Sequence, residues 1–301
     1  MSAKLPKPFL KWAGGKSQLI NALEERLPPP IKNSRTIDVY VEPFVGGGAF
    51  FFYLKSNYKI NKAYLLDTNK DLIVAYKVVQ NEPYKLIDQL RLIEEKYLSL
   101  SGTEQEQFYY EIRSLYNTQR RADTDLIQRA AYMIFLNKTC YNGLYRLNRK
   151  GEFNTPYGRY KNPKICDAEN ILQASKALQD VEIVCADFEE SRDYISKATL
   201  VYLDPPYRPI SKTASFTNYT EDRFDDEEQI RLAKYFKEMH QRGAYILLSN
   251  SDPKNFDPND DFFEKLYEGF IIERVPAKRC INSNAKARGP VMELIIRNYS
   301  T

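Results

Sequence analysis

Residues 37–48 read IDVYVEPFVGGG: a mostly apolar run closed by an acid, then a proline, an aromatic, a valine and three glycines. An apolar run of this length bounded by Pro and Gly reads as a buried strand. Residues 49–55 read as a helix, which makes the glycines a strand-to-helix turn. Glycine lets a backbone approach a ligand closely, and a helix N-terminus offers free N–H groups. On this stretch alone, a tight turn and a ligand cradle are equally supported. A second strand, AYLLD at 63–67, ends on Asp67. An acid about 20 residues past a glycine loop suits hydrogen bonds to ribose hydroxyls. The other use for Asp67 is to cap a helix opening near Lys70.

Working outward, residues 17–27 read as a helix stopped by Pro28-Pro29-Pro30. Residues 70–137 carry helical spacing, as in Leu86, Leu90 and Ile93, with no strand among them. Strand signals return at 181–186, 199–203, 244–248, 270–275 and 292–297, with a helix at 226–241. The acidic run 221–228 suits a helix N-terminus, where carboxylates complement the dipole. Strands alternating with helices predict an α/β fold with a doubly wound, mainly parallel sheet. That sheet domain is split into residues 1–69 and 168–301, with a mainly helical insertion at 70–167. The last two strands, joined by a loop, predict an antiparallel hairpin at the sheet edge.

Composition narrows the chemistry. The 301 residues are 28% charged and 43% apolar, with a formal net charge of +4. That is a globular balance, too weak as an average to announce a nucleic-acid partner. The single histidine, His240, falls in a predicted helix as a surface residue, which argues against histidine-based triads and His-rich metal sites. Cys140, Cys166, Cys185 and Cys280 form no CxxC pair, and a reducing cytoplasm fits them. No signal peptide or membrane span is legible, so a cytoplasmic protein without membrane or metal is expected. Ala13-Gly14-Gly15-Lys16-Ser17 resembles the end of a P-loop, but Leu10 stands where that motif requires glycine.

Two segments stand out. Asp204-Pro205-Pro206-Tyr207 directly follows the apolar run Leu200 to Leu203, and strand C-terminal ends are where α/β sheets place their sites. The prolines stiffen the turn and remove two N–H donors. A carboxylate beside a free carbonyl can accept both hydrogens of an exocyclic amine, and Tyr207 offers a face for a base. A rigid turn is the plainer alternative. Residues 138–164 hold seven basic residues (Lys138, Arg146, Arg149, Lys150, Arg159, Lys161, Lys164) against the single acid Glu152. Tyr141, Tyr145, Phe153, Tyr157 and Tyr160 interleave with them. Asn142-Gly143 predicts a type I′ turn, hence a β-hairpin on a basic surface. A second basic stretch, Arg274 to Arg288, suits phosphates or a solvated loop.

Taken together, these segments resemble a Dam-type DNA adenine N6-methyltransferase. The resemblance rests on Phe9-Leu10-Lys11-Trp12-Ala13-Gly14-Gly15-Lys16, Val41-Glu42-Pro43-Phe44-Val45-Gly46-Gly47-Gly48, Tyr141-Asn142-Gly143-Leu144-Tyr145-Arg146, Gly151-Glu152-Phe153-Asn154, Pro156-Tyr157-Gly158-Arg159-Tyr160 and Asp204-Pro205-Pro206-Tyr207. Their order is that of the group with the glycine loop before, and the DPPY loop after, the recognition region. The resemblance implies a Rossmann-like methyltransferase sheet, with the insertion as a DNA-recognition domain carrying a hairpin. It implies S-adenosylmethionine as cofactor, in a pocket lined by Trp12, Ala13, Gly14, Lys16, Glu42, Phe44, Gly46, Gly47, Asp67, Asp187, Phe188 and Asp204. Asp67 would take the ribose hydroxyls, and Asp187-Phe188 the adenine. Catalysis would fall to Asp204, Pro205, Pro206 and Tyr207 acting on a flipped adenine. A cytosine-C5 enzyme would need a nucleophilic cysteine after proline, and none is present.

The resemblance further implies double-stranded DNA containing GATC as partner. It places Arg146 and Lys11 on guanines, Leu144 and Pro156 on thymine, Tyr141 and Asn142 near the base left unpaired, and Arg159 on the DNA. A monomer is expected, and a restriction endonuclease acting on the same site is a partner it allows. An adenine methyltransferase of RNA or of another DNA sequence is the competing enzyme. A binding module that keeps the fold without catalysis is the competing class.

Overall fold

The computed structural model describes residues 5–12, 14, 16, 18–208, 224–277 and 291–301. Its centre is β1 (Thr36–Glu42), which pairs in parallel with β2 (Lys59–Asp67) on one side and β4 (Leu200–Leu203) on the other. Strand β3 (Val181–Cys185) extends the sheet beyond β2, with Asp67 opposite Cys185. On the other flank β5 (Tyr245–Ser251) runs parallel to β4. The sheet is completed by β6 (Ile271–Ala277) and β7 (Val291–Arg297), giving the order β3-β2-β1-β4-β5-β7-β6. The predicted hairpin is present: β7 is antiparallel to both β5 and β6 and lies between them. Strand order reverses between β1 and β4, the switch point where open α/β sheets bind ligands.

Side-chain alternation explains why these segments form a sheet covered on both faces. Tyr40, Leu65, Leu200, Tyr202, Leu247 and Ile295 face one core. Val41, Tyr64, Leu66, Val201, Leu203, Ile246, Leu248 and Leu294 face the other. The starts of β1 and β2 depart from a buried run: Asp38 is exposed and accepts a hydrogen bond from exposed Asn61 at 2.9 Å. The first core is covered by α1 (Ile20–Glu25), α2 (Pro29–Ser34), α3 (Ala49–Asn57), α4 (Lys70–Asn81), α5 (Pro83–Ser99), α6 (Gly102–Ala122), α7 (Leu126–Thr139) and α8 (Ala168–Ala177). The second is covered by a 3₁₀ segment Phe188–Tyr194 with α9 (Asp226–Gln241) and α10 (Phe262–Leu266). Helices α4 to α7 fill residues 70–139 without a strand, as their periodicity predicts.

Local expectations met mixed outcomes. Asp225 caps α9 by accepting from Glu227 and Glu228 N–H groups, so the acidic run does open that helix; residues 221–223 lie outside the described ones. The helix expected over 17–27 is shorter, Ile20–Glu25 capped at Arg26, and the triple proline starts a helix: Pro29 is the first residue of α2, where a missing N–H costs nothing. At Asn142-Gly143 both residues have positive φ, 55° and 65°, as a type I′ turn requires. No strands pair across it, however. The antiparallel bridges are Cys140 to Tyr157 and Leu147 to Phe153. The chain reverses further on, where Asn148 N bonds to Glu152 O and Gly151 N to Asn148 O. His240 is exposed on α9, with Nδ1 2.9 Å from Asn298 Nδ2. Cys140, Cys166 and Cys185 carry free thiols. Among the described residues, no helix is long and apolar enough to cross a membrane, and no cluster of His, Cys, Asp and Glu could hold a metal.

Candidate active site and nucleic-acid interface

Three neighbouring strands end in acids. Glu42 closes β1, Asp67 closes β2, and Asp204 follows β4. Glu42 is 2% exposed and its Oε2 accepts from Tyr40 Oη at 2.8 Å. Burial raises its pKa well above the usual carboxylate range, and the neighbouring Asp204 and Asp67 raise it further. Burial also raises Asp67, opposed by two backbone donors. These are Gly46 N–H to Oδ2 at 3.1 Å and Asn69 N–H to Oδ1 at 2.9 Å. Asn69, not Asp67, caps α4, accepting from Asp71 and Leu72 N–H groups. Asp67 thus ties the glycine loop to the residue that caps α4.

That loop is closed from outside by Trp12. Gly46 has φ +46°, and a Cβ there would stand 2.8 Å from Trp12 Cδ1. A Cβ on Gly47 would reach Trp12 Cβ at 3.3 Å. Tyr76 Oη donates to Gly46 O at 3.1 Å from the floor. Phe44 packs on Phe188 and Phe224 with ring centroids 5.4 and 5.5 Å away. Phe188 is buried, and the Arg231 guanidinium lies 4.3 Å from its ring centre. Asp187 is held by the same arginine, at 3.2 Å to Oδ1 and 2.7 Å to Oδ2. Gly14 is exposed, with φ +77° and open space around its Cβ position. Ala13 lies outside the described residues.

Asp204 faces a different set of partners. Its Oδ1 lies 3.0 Å from Lys16 Nζ and accepts from Ser249 Oγ at 3.0 Å. Among the described residues its Oδ2 has no hydrogen bond. Burial pushes its pKa up to about 6, against the pull of Lys16 and Ser249. Lys16 is 4% exposed, yet Asp204, Tyr207 and Glu293 outweigh its desolvation and raise its pKa. Its ammonium touches Tyr207 Oη, lies 4.1 Å from that ring's centre, and reaches Glu293 Oε2 at 3.3 Å. Tyr207 is 37% exposed and donates to Glu293 at 3.0 Å. Lys16 therefore sits on the DPPY turn. Pro206 O accepts from buried Gln229, which Asn250 holds in turn, whereas the Pro205 carbonyl is unbonded among the described residues.

Ser249, Gln229 and Glu293 escaped sequence reasoning. Ser249-Asn250 at the end of an apolar strand was a usable signal. Glu293, inside the strand MELIIR, had none.

The remaining predicted residues gather on an exposed face beside this site. Tyr141 is 54% and Leu144 40% exposed, and Asn142, Arg146, Pro156, Arg159 and Lys11 are exposed with them. Arg146 is aimed by Asn154, through Nε to Oδ1 at 2.7 Å. Arg159 reaches Glu106 only at 3.5 Å. Buried Asn137 ties this face to the N-terminal segment. It bonds Lys11 N and O, each at 2.7 Å, and Gly143 O at 3.1 Å. Lys138 beside it is pushed down to about 8, first by burial and then by Lys11, Lys7 and Lys164. Of the second basic stretch, Arg274 is engaged by Asp252 and Glu264, and residues 278–290 lie outside the described ones.

Comparison with known proteins supplies the last observation. The profile of the D12 class N6 adenine-specific DNA methyltransferases matches residues 12–281. The type II methyltransferase M.MjaIII of Methanocaldococcus jannaschii is 50% identical over 294 residues, 97% of this chain and 99% of that protein. The type II methyltransferase M1.LlaDCHI of Lactococcus lactis subsp. cremoris is 35% identical over 295 residues, 97% and 95% of the two chains. The DNA adenine methylase of Escherichia coli is 34% identical over 292 residues, again 97% and 95%. The similarity thus runs through the sheet and the inserted helices alike.

Proposed function

Because this chain belongs to the D12 class of N6 adenine-specific DNA methyltransferases, we propose that it methylates the adenine of GATC in duplex DNA, with S-adenosylmethionine as donor. The observation that carries this reading is the Asp204 turn at the sheet's switch point, with an unbonded carboxylate oxygen and carbonyl beside the exposed face of Tyr207. The target base must leave the stack, since its amine is unreachable inside a duplex. Tyr207 then stacks on it, while Asp204 Oδ2 and the Pro205 carbonyl accept the two amine hydrogens. Both acceptors draw electron density onto the nitrogen and fix its direction, so positioning and electrostatics supply the rate. Asp204, ionised above about pH 6, is placed to hold the proton the amine sheds. Pro206 and Gln229 keep the turn rigid.

The pocket suits a cationic, adenosine-bearing donor. Three carboxyl groups stand at adjacent strand ends, with burial holding Glu42 protonated, and the Trp12 indole packs directly on Gly46, where a Cβ would stand 2.8 Å from it. S-adenosylmethionine, when bound, supplies an electrophilic methyl on a sulfonium. Asp67 would hold the ribose hydroxyls, Glu42 and Gly47 the wall beside them, and Phe44, Asp187 and Phe188 the adenine end. Residues 70–167 would recognise DNA, with Arg146 and Lys11 on guanines. An arginine fork on guanine O6 and N7 contributes about 1–3 kcal/mol of discrimination. Tyr141 and Asn142 fit the gap left by the flipped base, Leu144 and Pro156 the thymine methyl, and Arg159 the backbone.

Sequencing the methylated adenines in DNA treated with protein and cofactor tests the reading. Methylation at GATC is expected, with Asp204→Ala abolishing transfer while DNA still binds. Methylation at other sites would overturn the GATC assignment, and a near wild-type rate for Asp204→Ala would overturn the mechanism.

A further inference from the structure

Tyr145 joins the exposed DNA-facing loop to the glycine loop of the sheet. Its backbone lies between Leu144 and Arg146, both exposed. Its ring points inward and stacks on Trp12, with centroids 5.5 Å apart and planes 26° from parallel. Trp12 is the surface that closes Gly46 and Gly47. The tyrosine hydroxyl is fixed as firmly, donating to Asp71 Oδ2 at 2.8 Å. Asp71 is 5% exposed in the first turn of α4, immediately after the Asp67 to Asn69 segment that holds Gly46. The same carboxylate takes Arg120, whose other arm donates to Gly151 O in the reversal below Arg146. Both ends of Tyr145 are therefore anchored to parts of the glycine-loop wall, while its backbone belongs to the DNA-facing surface.

We propose that Tyr145 is a positioning residue that couples DNA occupancy of the 141–160 loop to the cofactor pocket, so that each ligand tightens binding of the other. The inference rests on the methyltransferase reading above. A ligand that settles the backbone at Leu144 and Arg146 also settles the ring between them, and with it the Trp12 wall. Conversely, a cofactor that fixes Trp12 orders the loop before DNA arrives. Such coupling is reciprocal: the factor by which DNA tightens the cofactor equals the factor by which the cofactor tightens DNA.

The test is a binding cycle with the full-length chain. S-adenosylhomocysteine, the demethylated cofactor that cannot be turned over, stands in for the cofactor throughout, and its affinity is measured by calorimetry with and without a GATC duplex. In the wild type and Tyr145→Phe it is followed also by emission from Trp12, the only tryptophan. Duplex affinity is measured by anisotropy, with and without cofactor. The duplex is expected to tighten the cofactor by about 5- to 150-fold in the wild type, with the same ratio in the reverse direction. Tyr145→Ala should bring the ratio near one while each ligand still binds alone. Tyr145→Phe, which keeps the ring and loses the Asp71 bond, should fall between, and carries the test if the alanine variant does not fold. An unchanged ratio in a folded variant, or a wild-type ratio of one, overturns the coupling alone. Failure of the wild type to bind the cofactor would overturn the methyltransferase reading with it.

Discussion

Asp204 is buried enough to sit near pKa 6, yet Lys16 stands 3.0 Å away and holds it below where burial alone would leave it. The proposed chemistry needs the ionised form, because a protonated carboxyl gives up acceptor capacity. The sign follows directly: kcat/KM should fall as pH drops through about 6 and level off above it. Lys16→Met removes the positive charge that favours ionisation, so the acid limb should move to higher pH. A pH profile of methyl transfer for both proteins checks this, and a limb that stays in place in the variant would remove Lys16 from the account. The turn proposed as catalytic is legible in the sequence because its pattern is local: an acid, two prolines and a tyrosine after an apolar strand. The partners of that turn are not. Lys16 and Glu293 are separated by 277 positions, and no spacing rule links them.

Helices α4, α6 and α7 share a buried ion cluster. Arg129 of α7 is 2% exposed and reaches Asp71 of α4 at 3.5 Å and Asp123, just past α6, at 2.7 Å. Arg120 of α6 joins at Asp71. Removing one partner of a buried pair strands the others, which costs about 3–5 kcal/mol. Asp71→Ala should lose about that much stability in urea unfolding, and a loss under about 1 kcal/mol would show the arginines finding water instead. At this scale the sequence was a good guide to periodic elements. Helical spacing gave α4 to α7, and strand alternation gave the sheet and its closing hairpin. It was a poor guide where one residue serves two neighbours. Pro29 starts a helix where the triple proline reads only as a stop, and Asn142-Gly143 takes turn dihedrals without joining two strands. Asp71 reads as an ordinary first-turn acid, since the arginines that bury it lie 49 and 58 residues on.

Across the whole molecule, one apolar cluster runs from the sheet face through α3 and α8 into Ile93, Tyr97, Tyr109, Ile112 and Phe135 of the inserted helices. The insertion shares its core with the sheet rather than enclosing its own. Heating should therefore give one cooperative transition, coincident by circular dichroism and by Trp12 emission. Two separated transitions would show residues 70–167 to be an independent unit. Chain order adds a consequence of the contact between Lys16 and Glu293. Lys16 is translated 277 positions ahead of its carboxylate partner, which lies on a strand that must slot between β5 and β6. The residues proposed to read DNA, Lys11 through Arg159, are translated well before that. A nascent or prematurely released chain can thus present its basic loop without a braced Tyr207. On the proposed mechanism, the completed sheet, rather than the first encounter with DNA, is the event that licenses methyl transfer.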